Sequence, residues 1–400
     1  MHLAIVSTFP PSKGTLCEYA EHLVRAFATK PEVTQISLIA DQLPDPNQPE
    51  TLTIDGVTVH RIWRFNDPSN LWRIRSKLEK LKPDAVLYNL QFASFGDRKV
   101  PAALALLSPL ASRMAGFPTI TLLHNLMETI DLERAGFAGN RLLEWIMRTA
   151  GNIFTRALLS SDLLATTMPR YVDILRQSYR AKNTFLAPHG AFHRTTPMPL
   201  PAQRTVMTFG KFGTYKVVEP LLEAHKILLR LDPNIRLVIA GGDSPNAKGY
   251  LAGVQAQYTD LPNVTFTGYV PEEAVAGIFT DCSVVAFPYN STTGSSGVLH
   301  QTGEFARAAV MPQIGDLADL IEAEGYSAEF FEPDNAPTLA HAIWRTVENP
   351  EHARDVGLVN HAAATGLMLE DVADWYLMHF ERLQNRQNPQ HLQHNLVVQS

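Results

Sequence analysis

The chain has only two cysteines in 400 residues, Cys17 and Cys282. They are too few and too far apart for a disulfide framework or a cysteine-built zinc site, so a reducing, cytoplasmic setting is the expectation. Charge of one sign is equally scarce: 34 Lys and Arg stand against 40 Asp and Glu, a net charge of -6. That balance excludes a nucleic-acid binder dominated by phosphate contacts, and no nucleic-acid partner is expected. Long unbroken apolar runs are missing too. The stretch from Ala102 to Leu123 is interrupted by Ser108, Pro109, Arg113, Gly116 and Pro118. It reads as a buried helix followed by a strand, not as a membrane span. The opening MHLAIVSTFPP puts no basic segment before its short apolar run, so it reads as a strand and not as a leader. No short sequence repeat occurs.

What is present is a globular composition, 45% hydrophobic and 18% charged, in a chain longer than one core usually organises. Short apolar runs alternate with helical patterns: HLAIVST, then TLCEYAEHLVRAFAT; TQISLIAD; VTVHRIW; DAVLYNL; PTITLLHN. This rhythm predicts parallel sheets covered on both faces. It restarts after the proline-rich PMPLPAQR, Pro197 to Arg204, which reads as a linker. The expected fold class is therefore α/β, with two Rossmann-like doubly wound domains facing across a cleft. Their bounds are expected at 1–196 and 205–368, with a helix near 369–384 and a disordered tail at 385–400, rich in Gln, Asn and His.

Open α/β sheets bind ligands beyond the carboxyl ends of their strands, and the candidate residues all follow such ends. Gly14 precedes the first helix, with Thr15 beside it. Either it lets backbone amides approach an anion or it is a plain turn. His124 ends a buried strand and is either a hydrogen-bonding group for a sugar hydroxyl or a satisfied half-buried histidine. His189 and Gly190 sit at the domain junction. Lys211 and Lys216 punctuate FGKFGTYK, the expected strand-to-helix loop opening the second domain, where two ammonium groups could neutralise a diphosphate. Gly241 and Gly242, then Gly268, Tyr269 and Val270, end the next two strands. Ser295, Ser296 and Gly297 precede a helix and have the composition of an anion nest, or of a solvated Ser/Gly loop.

With these residues placed, the chain resembles the retaining GT-B glycosyltransferases of family 4, the glycosyl transferases of group 1. The resemblance runs through nearly the whole length and is strongest from Val206 to Ala340. Gly210-Lys211 and Lys216-Val217 match the family's donor-diphosphate positions, and Phe266, Gly268 and Val270 match the strand end that holds the base. Gly14 is similar to the family's N-terminal glycine loop and His124 to its first-domain active-site histidine. With Gly297-Val298-Leu299 in register, Thr293 and Gln301 stand where the family carries a Glu-x7-Glu pair, and Glu304 is the nearest carboxylate. Gln301 can still hydrogen-bond a ribose, without charge.

The resemblance implies a hexosyltransferase that takes a nucleotide diphosphate sugar as donor and an acceptor hydroxyl on a glycan, glycolipid or small molecule. It further implies retention of configuration, no metal and no cofactor, and a C-terminal helix that completes the first domain. A non-catalytic GT-B domain, or a GT-B phosphorylase or epimerase, would use the same anion loops. The segment Leu71 to Lys82 mixes five cations with apolar residues including Trp72. It is either a peripheral contact with anionic lipid at an inner membrane surface or a packed helix with a solvated basic face.

Overall fold

The computed structural model describes residues 1–12, 14, 16–45, 49–129, 141–292 and 294–387. The chain divides into unit 1, Met1–His189 with Leu369–Ser400, and unit 2, Gly190–Met368. Each is described by itself. Thr15, Thr293 and the tail from 388 onward lie outside the described residues.

Unit 1 opens with β1 (His2–Val6), α1 (Cys17–Ala28), β2 (Gln35–Asp41), β3 (Thr51–Ile54) and β4 (Val57–Trp63). It continues with α2 (Asn70–Leu81), β5 (Ala85–Leu90), α3 (Lys99–Ala105), α4 (Ser108–Met114) and β6 (Thr119–Leu123). Then come α5 (Arg141–Leu158), β7 (Leu163–Thr166), α6 (Pro169–Tyr179) and β8 (Thr184–Leu186). The sheet order is β3-β4-β2-β1-β5-β6-β7-β8, parallel except for the β3–β4 pair. β5 and β6 are buried at every position, because helices cover both faces of a parallel sheet. In α1, Ala20, Leu23, Val24 and Phe27 recur at helical spacing and are all buried, which seats one stripe on the sheet.

Unit 2 runs β9 (Thr205–Phe212), α7 (Glu219–Leu231), β10 (Arg236–Asp243), α8 (Tyr250–Gln257), β11 (Val264–Gly268) and α9 (Glu272–Thr280). It ends β12 (Val284–Ala286), α10 (Gly297–Glu304), β13 (Ala308–Pro312), α11 (Gly315–Glu324), β14 (Ala328–Phe331), α12 (Ala336–Val347) and α13 (Pro350–Thr365). Its sheet is β11-β10-β9-β12-β13-β14, with every pairing parallel. The last helix, α14 (Leu369–Gln387), belongs to unit 1. There Tyr376 lies 6.1 Å from the Phe27 ring, and Lys30 pairs with Asp374 at 2.7 Å.

Three expectations need correction. The stretch from Ala102 holds the end of one short helix and the whole of another, α3 and α4, because Pro109 starts α4 afresh within its first turn. β3 and β14 were not foreseen: the first is an exposed edge strand, the second a four-residue strand with only Phe331 buried. The segment 197–204 is not a loose linker. Arg307, wholly buried, donates to the carbonyls of Met198 and Pro199 at 3.0 Å each and to those of Phe279 and Thr280 at 2.8 and 3.0 Å. A guanidinium donating to these carbonyls ties that segment to the domain.

Candidate active site

In each unit the strand order reverses at one place, between β1 and β5 in unit 1 and between β9 and β12 in unit 2. Such switch points open a crevice at the carboxyl end of the sheet. Gly14 follows β1, and Lys211 lies in β9 near its carboxyl end, at these switch points; the other candidates follow or end neighbouring strands.

In unit 1, His124 follows β6. Its Nε2 lies 2.6 Å from Asn89 Oδ1, and Asn89 Nδ2 donates to Ser7 Oγ at 3.0 Å. An amide oxygen only accepts, so Nε2 carries the proton and Nδ1 is the acceptor. Burial, helped by nearby His189, pushes the imidazole down to about 3, so it is neutral at physiological pH. Tyr19 packs against both histidines, its ring 4.7 Å from each. A β-carbon on Gly14 would fall 2.9 Å from Thr8 Cγ2, so the Thr8 side chain would have to give way. The loop between β1 and α1 is held from below. Arg61, buried, donates to the carbonyls of Phe9, Pro10 and Asp41, and Asp41 accepts from Phe9 N at 3.1 Å.

In unit 2, three glycines with positive φ stand side by side at the sheet's carboxyl edge. Gly210 (φ 141) is in register with Gly241 (φ 131), and Gly241 with Gly268 (φ 67). A β-carbon on Gly241 would sit 1.9 Å from the Gly210 carbonyl oxygen. Only glycine lets β9 and β10 approach this closely. Together they make a floor bare of side chains. Gly241 N donates to Thr267 Oγ1 at 3.2 Å.

The two lysines do not share one strand-to-helix loop. Lys211 lies within β9, because that strand stays paired with β10 as far as Phe212–Asp243. A turn at Gly213, whose N–H donates to the Lys216 carbonyl at 2.9 Å, then brings the chain back. Lys216 bridges to Tyr289 beyond β12, directly at the switch point. Its ammonium folds over the floor: a β-carbon on Gly210 would meet Lys216 Nζ at 3.2 Å. The same Nζ lies 4.8 Å from the centre of the Tyr289 ring, a cation–π contact.

The loop before α10 is more firmly built than its composition suggests. Ser296 caps the helix, accepting from Leu299 N at 3.4 Å. Gly294 N donates to Asp316 Oδ2 at 2.8 Å, and Ser295 Oγ lies 3.1 Å from His300 Nε2. Gly297 begins the helix. Val298 is buried, so its side chain packs inward, and Gln301 is half-buried. Glu304 does not substitute for a ribose-gripping carboxylate. It is fully buried, accepts from Phe192 N, and burial pushes it up to about 7. Beyond β11, Tyr269 is 63% exposed and Val270 half-buried. Ser7, Asn89, Arg61 and His300 were missed. A polar residue near the carboxyl end of a wholly buried strand, as in AVLYNL, was the available signal for Asn89.

Known proteins share this fold. Residues 203–349 match the family model for glycosyl transferases group 1. Over 149 residues the chain is 28% identical to O-antigen chain mannosyltransferase C of Escherichia coli, a match spanning 37% of this chain and 38% of that protein. Sucrose-phosphate synthase from Thermosynechococcus elongatus is similar in structure across 96% of this chain and 99% of its own, with TM-score 0.74 at 17% identity. Anabaena HepE in complex with UDP and glucose is similar across 95% and 99%, with TM-score 0.68 at 15% identity. The chain thus has the GT-B fold, and residues 203–349 form a domain of the glycosyl transferases group 1 family.

Proposed function

We propose that the protein transfers a hexose from a nucleotide diphosphate sugar to an acceptor hydroxyl, with retention of configuration and without a metal. The observation that carries this reading is the Lys216 ammonium folded over the Gly210–Gly241 floor at the switch point of unit 2. A side-chain-free floor admits a diphosphate close to the backbone, and a cation beside it stabilises negative charge. Similar proteins are described with UDP and with UDP-glucose bound.

The bond that breaks joins the anomeric carbon to a phosphate oxygen, and its electron pair leaves with the diphosphate. Positive charge grows on the sugar ring while the acceptor oxygen attacks. The acceptor's proton passes to the leaving phosphate, so no side-chain base is needed. Lys211, Lys216 and the amides near Gly297 act on the leaving group. Gly241, Gly268, Tyr269 and Val270 receive the nucleoside, and Gln301 the ribose. His124, neutral and accepting at Nδ1, positions a hydroxyl of the sugar or the acceptor.

The acceptor side fits glycan assembly, as in the similar O-antigen mannosyltransferase. Among the described residues no helix is long and apolar enough to cross a membrane. On α2, however, Trp72 is 58% exposed while Ile74 and Leu78 are buried, and Arg73, Arg75, Lys77 and Lys80 share the helix. That helix is the part of the protein suited to anionic lipid at the cytoplasmic membrane surface.

The test is calorimetric titration with UDP, GDP and ADP, followed by transfer from the matching sugar nucleotides with and without EDTA. Product configuration is read by proton NMR. Binding of at least one diphosphate and EDTA-insensitive transfer to an α-linked product from an α-linked donor are expected. Failure to bind any nucleoside diphosphate would remove the proposal, and loss of turnover with EDTA would remove its metal-free form.

A further inference from the structure

His300 sits on α10 with 2% of its surface exposed. A buried imidazole on a short helix costs stability unless both ring nitrogens are satisfied, and here they are. Nε2 is 3.1 Å from Ser295 Oγ and Nδ1 is 2.7 Å from Tyr326 OH. Glu324 Oε2 lies 3.6 Å from Nδ1, outside hydrogen-bond range.

The partners decide where each proton lies. Among the described residues, the Tyr326 hydroxyl makes its hydrogen bond with His300 Nδ1. A buried phenol whose proton has no acceptor would forfeit that bond, so Tyr326 donates and Nδ1 accepts. The ring proton is then on Nε2, which donates to Ser295 Oγ. With its oxygen accepting from His300, the Ser295 hydroxyl keeps its own proton to give elsewhere. Its loop is also pinned at Gly294 by Asp316, and at Thr292, whose hydroxyl donates to the Ile314 carbonyl at 3.3 Å.

We propose that His300 is a positioning residue that, through the relay Tyr326–His300–Ser295, aims the Ser295 hydroxyl proton at the donor's diphosphate. This rests on the function proposed above and deepens it. The relay supplies a neutral donor of fixed direction, in addition to the cations of Lys211 and Lys216. With the opposite imidazole tautomer, Ser295 would spend its proton on Nε2 and present only an acceptor to the phosphate, which repels it.

The experiment is a double-mutant cycle with Ser295→Ala and His300→Phe, read as affinity for UDP and GDP and as turnover of the preferred sugar nucleotide. A hydrogen bond to a charged group implies a loss of roughly tenfold to a hundredfold for each single variant. The double variant should lose no more than the worse single one, because both substitutions remove the same bond. Tyr326→Phe, a smaller change, should weaken binding in wild type and change nothing in the Ser295→Ala background. That arm decides the matter if His300→Phe does not fold. Additive losses, or an Ser295→Ala protein that binds as wild type does, would overturn the relay. If Lys216→Ala abolishes binding while Ser295→Ala does not, the relay fails and the transferase reading stands. If wild type binds neither UDP, GDP nor ADP, both fail.

Discussion

Replacing Gly241 with alanine tests the bare floor of unit 2 from two directions. The residue holds φ 131, where an L side chain is strained by about 1–2 kcal/mol. The new β-carbon would also land 1.9 Å from the Gly210 carbonyl oxygen. That atom belongs to backbone and cannot swing aside, so β9 and β10 must part, at a further cost of about 1–3 kcal/mol as in other overpacked sites. The sum, about 2–5 kcal/mol, corresponds to a melting temperature lower by roughly 5–20 °C for a domain of this size. Gly242→Ala is the matched control, since a β-carbon there meets nothing within 4 Å; it should melt within about 2 °C of wild type. Gly210→Ala carries a similar positive-φ strain (φ 141), but its β-carbon meets only the Lys216 side chain, 3.2 Å from Nζ, and not backbone. It should lower nucleotide affinity more than its modest stability loss explains. Scanning calorimetry of the full chain is the assay. A Gly241→Ala protein as stable as Gly242→Ala would refute the close approach.

The remaining predictions concern single groups. Glu304, pushed up to about 7 by burial, holds its proton more tightly folded than unfolded. The stability this gives is complete below the ordinary carboxyl range and is lost as pH rises through about 7; Glu304→Gln should flatten the fall in melting temperature between pH 5 and 8. Removing Arg61, which gathers the carbonyls of Phe9, Pro10 and Asp41, should loosen the loop that carries Gly14; Arg61→Met should show faster amide exchange at Phe9 and Ser12, whose N–H groups donate to Asp41 and to the Phe9 carbonyl. Gln301→Glu should keep or raise nucleotide affinity and Gln301→Ala should lower it; no change in either would show that Gln301 does not reach the ribose.

Strand and helix alternation was legible because parallel strands are buried on both faces and read as continuous apolar runs, as in AVLYNL and TITLL. The edge strand β3 was not, since an exposed strand carries no such run. The glycines were legible as strand-end residues, but their register did not show in the sequence. Gly210 and Gly241 lie 31 residues apart, and only the β9–β10 pairing brings them together. The same holds for His300 and Tyr326, joined by the path of β13 and α11. Lys211 and Lys216 looked like one loop because five-residue spacing cannot reveal where a strand stops. Pairing with β10 extends β9 past Lys211. The proline-rich segment 197–204 read as a linker because its anchor, Arg307, is more than a hundred residues away.

Donor turnover by Lys216→Ala, set beside Lys216→Arg and Lys211→Ala, tests the central claim most directly. Loss of one charge-assisted contact to the leaving diphosphate should slow transfer roughly tenfold to a hundredfold. The fall should be larger in kcat than in donor affinity, because the leaving group's charge grows in the transition state. Lys216→Arg should recover part of the rate, since it keeps the charge while changing its shape. Full turnover by Lys216→Ala and Lys211→Ala would contradict the account and return both lysines to the status of ordinary surface charges.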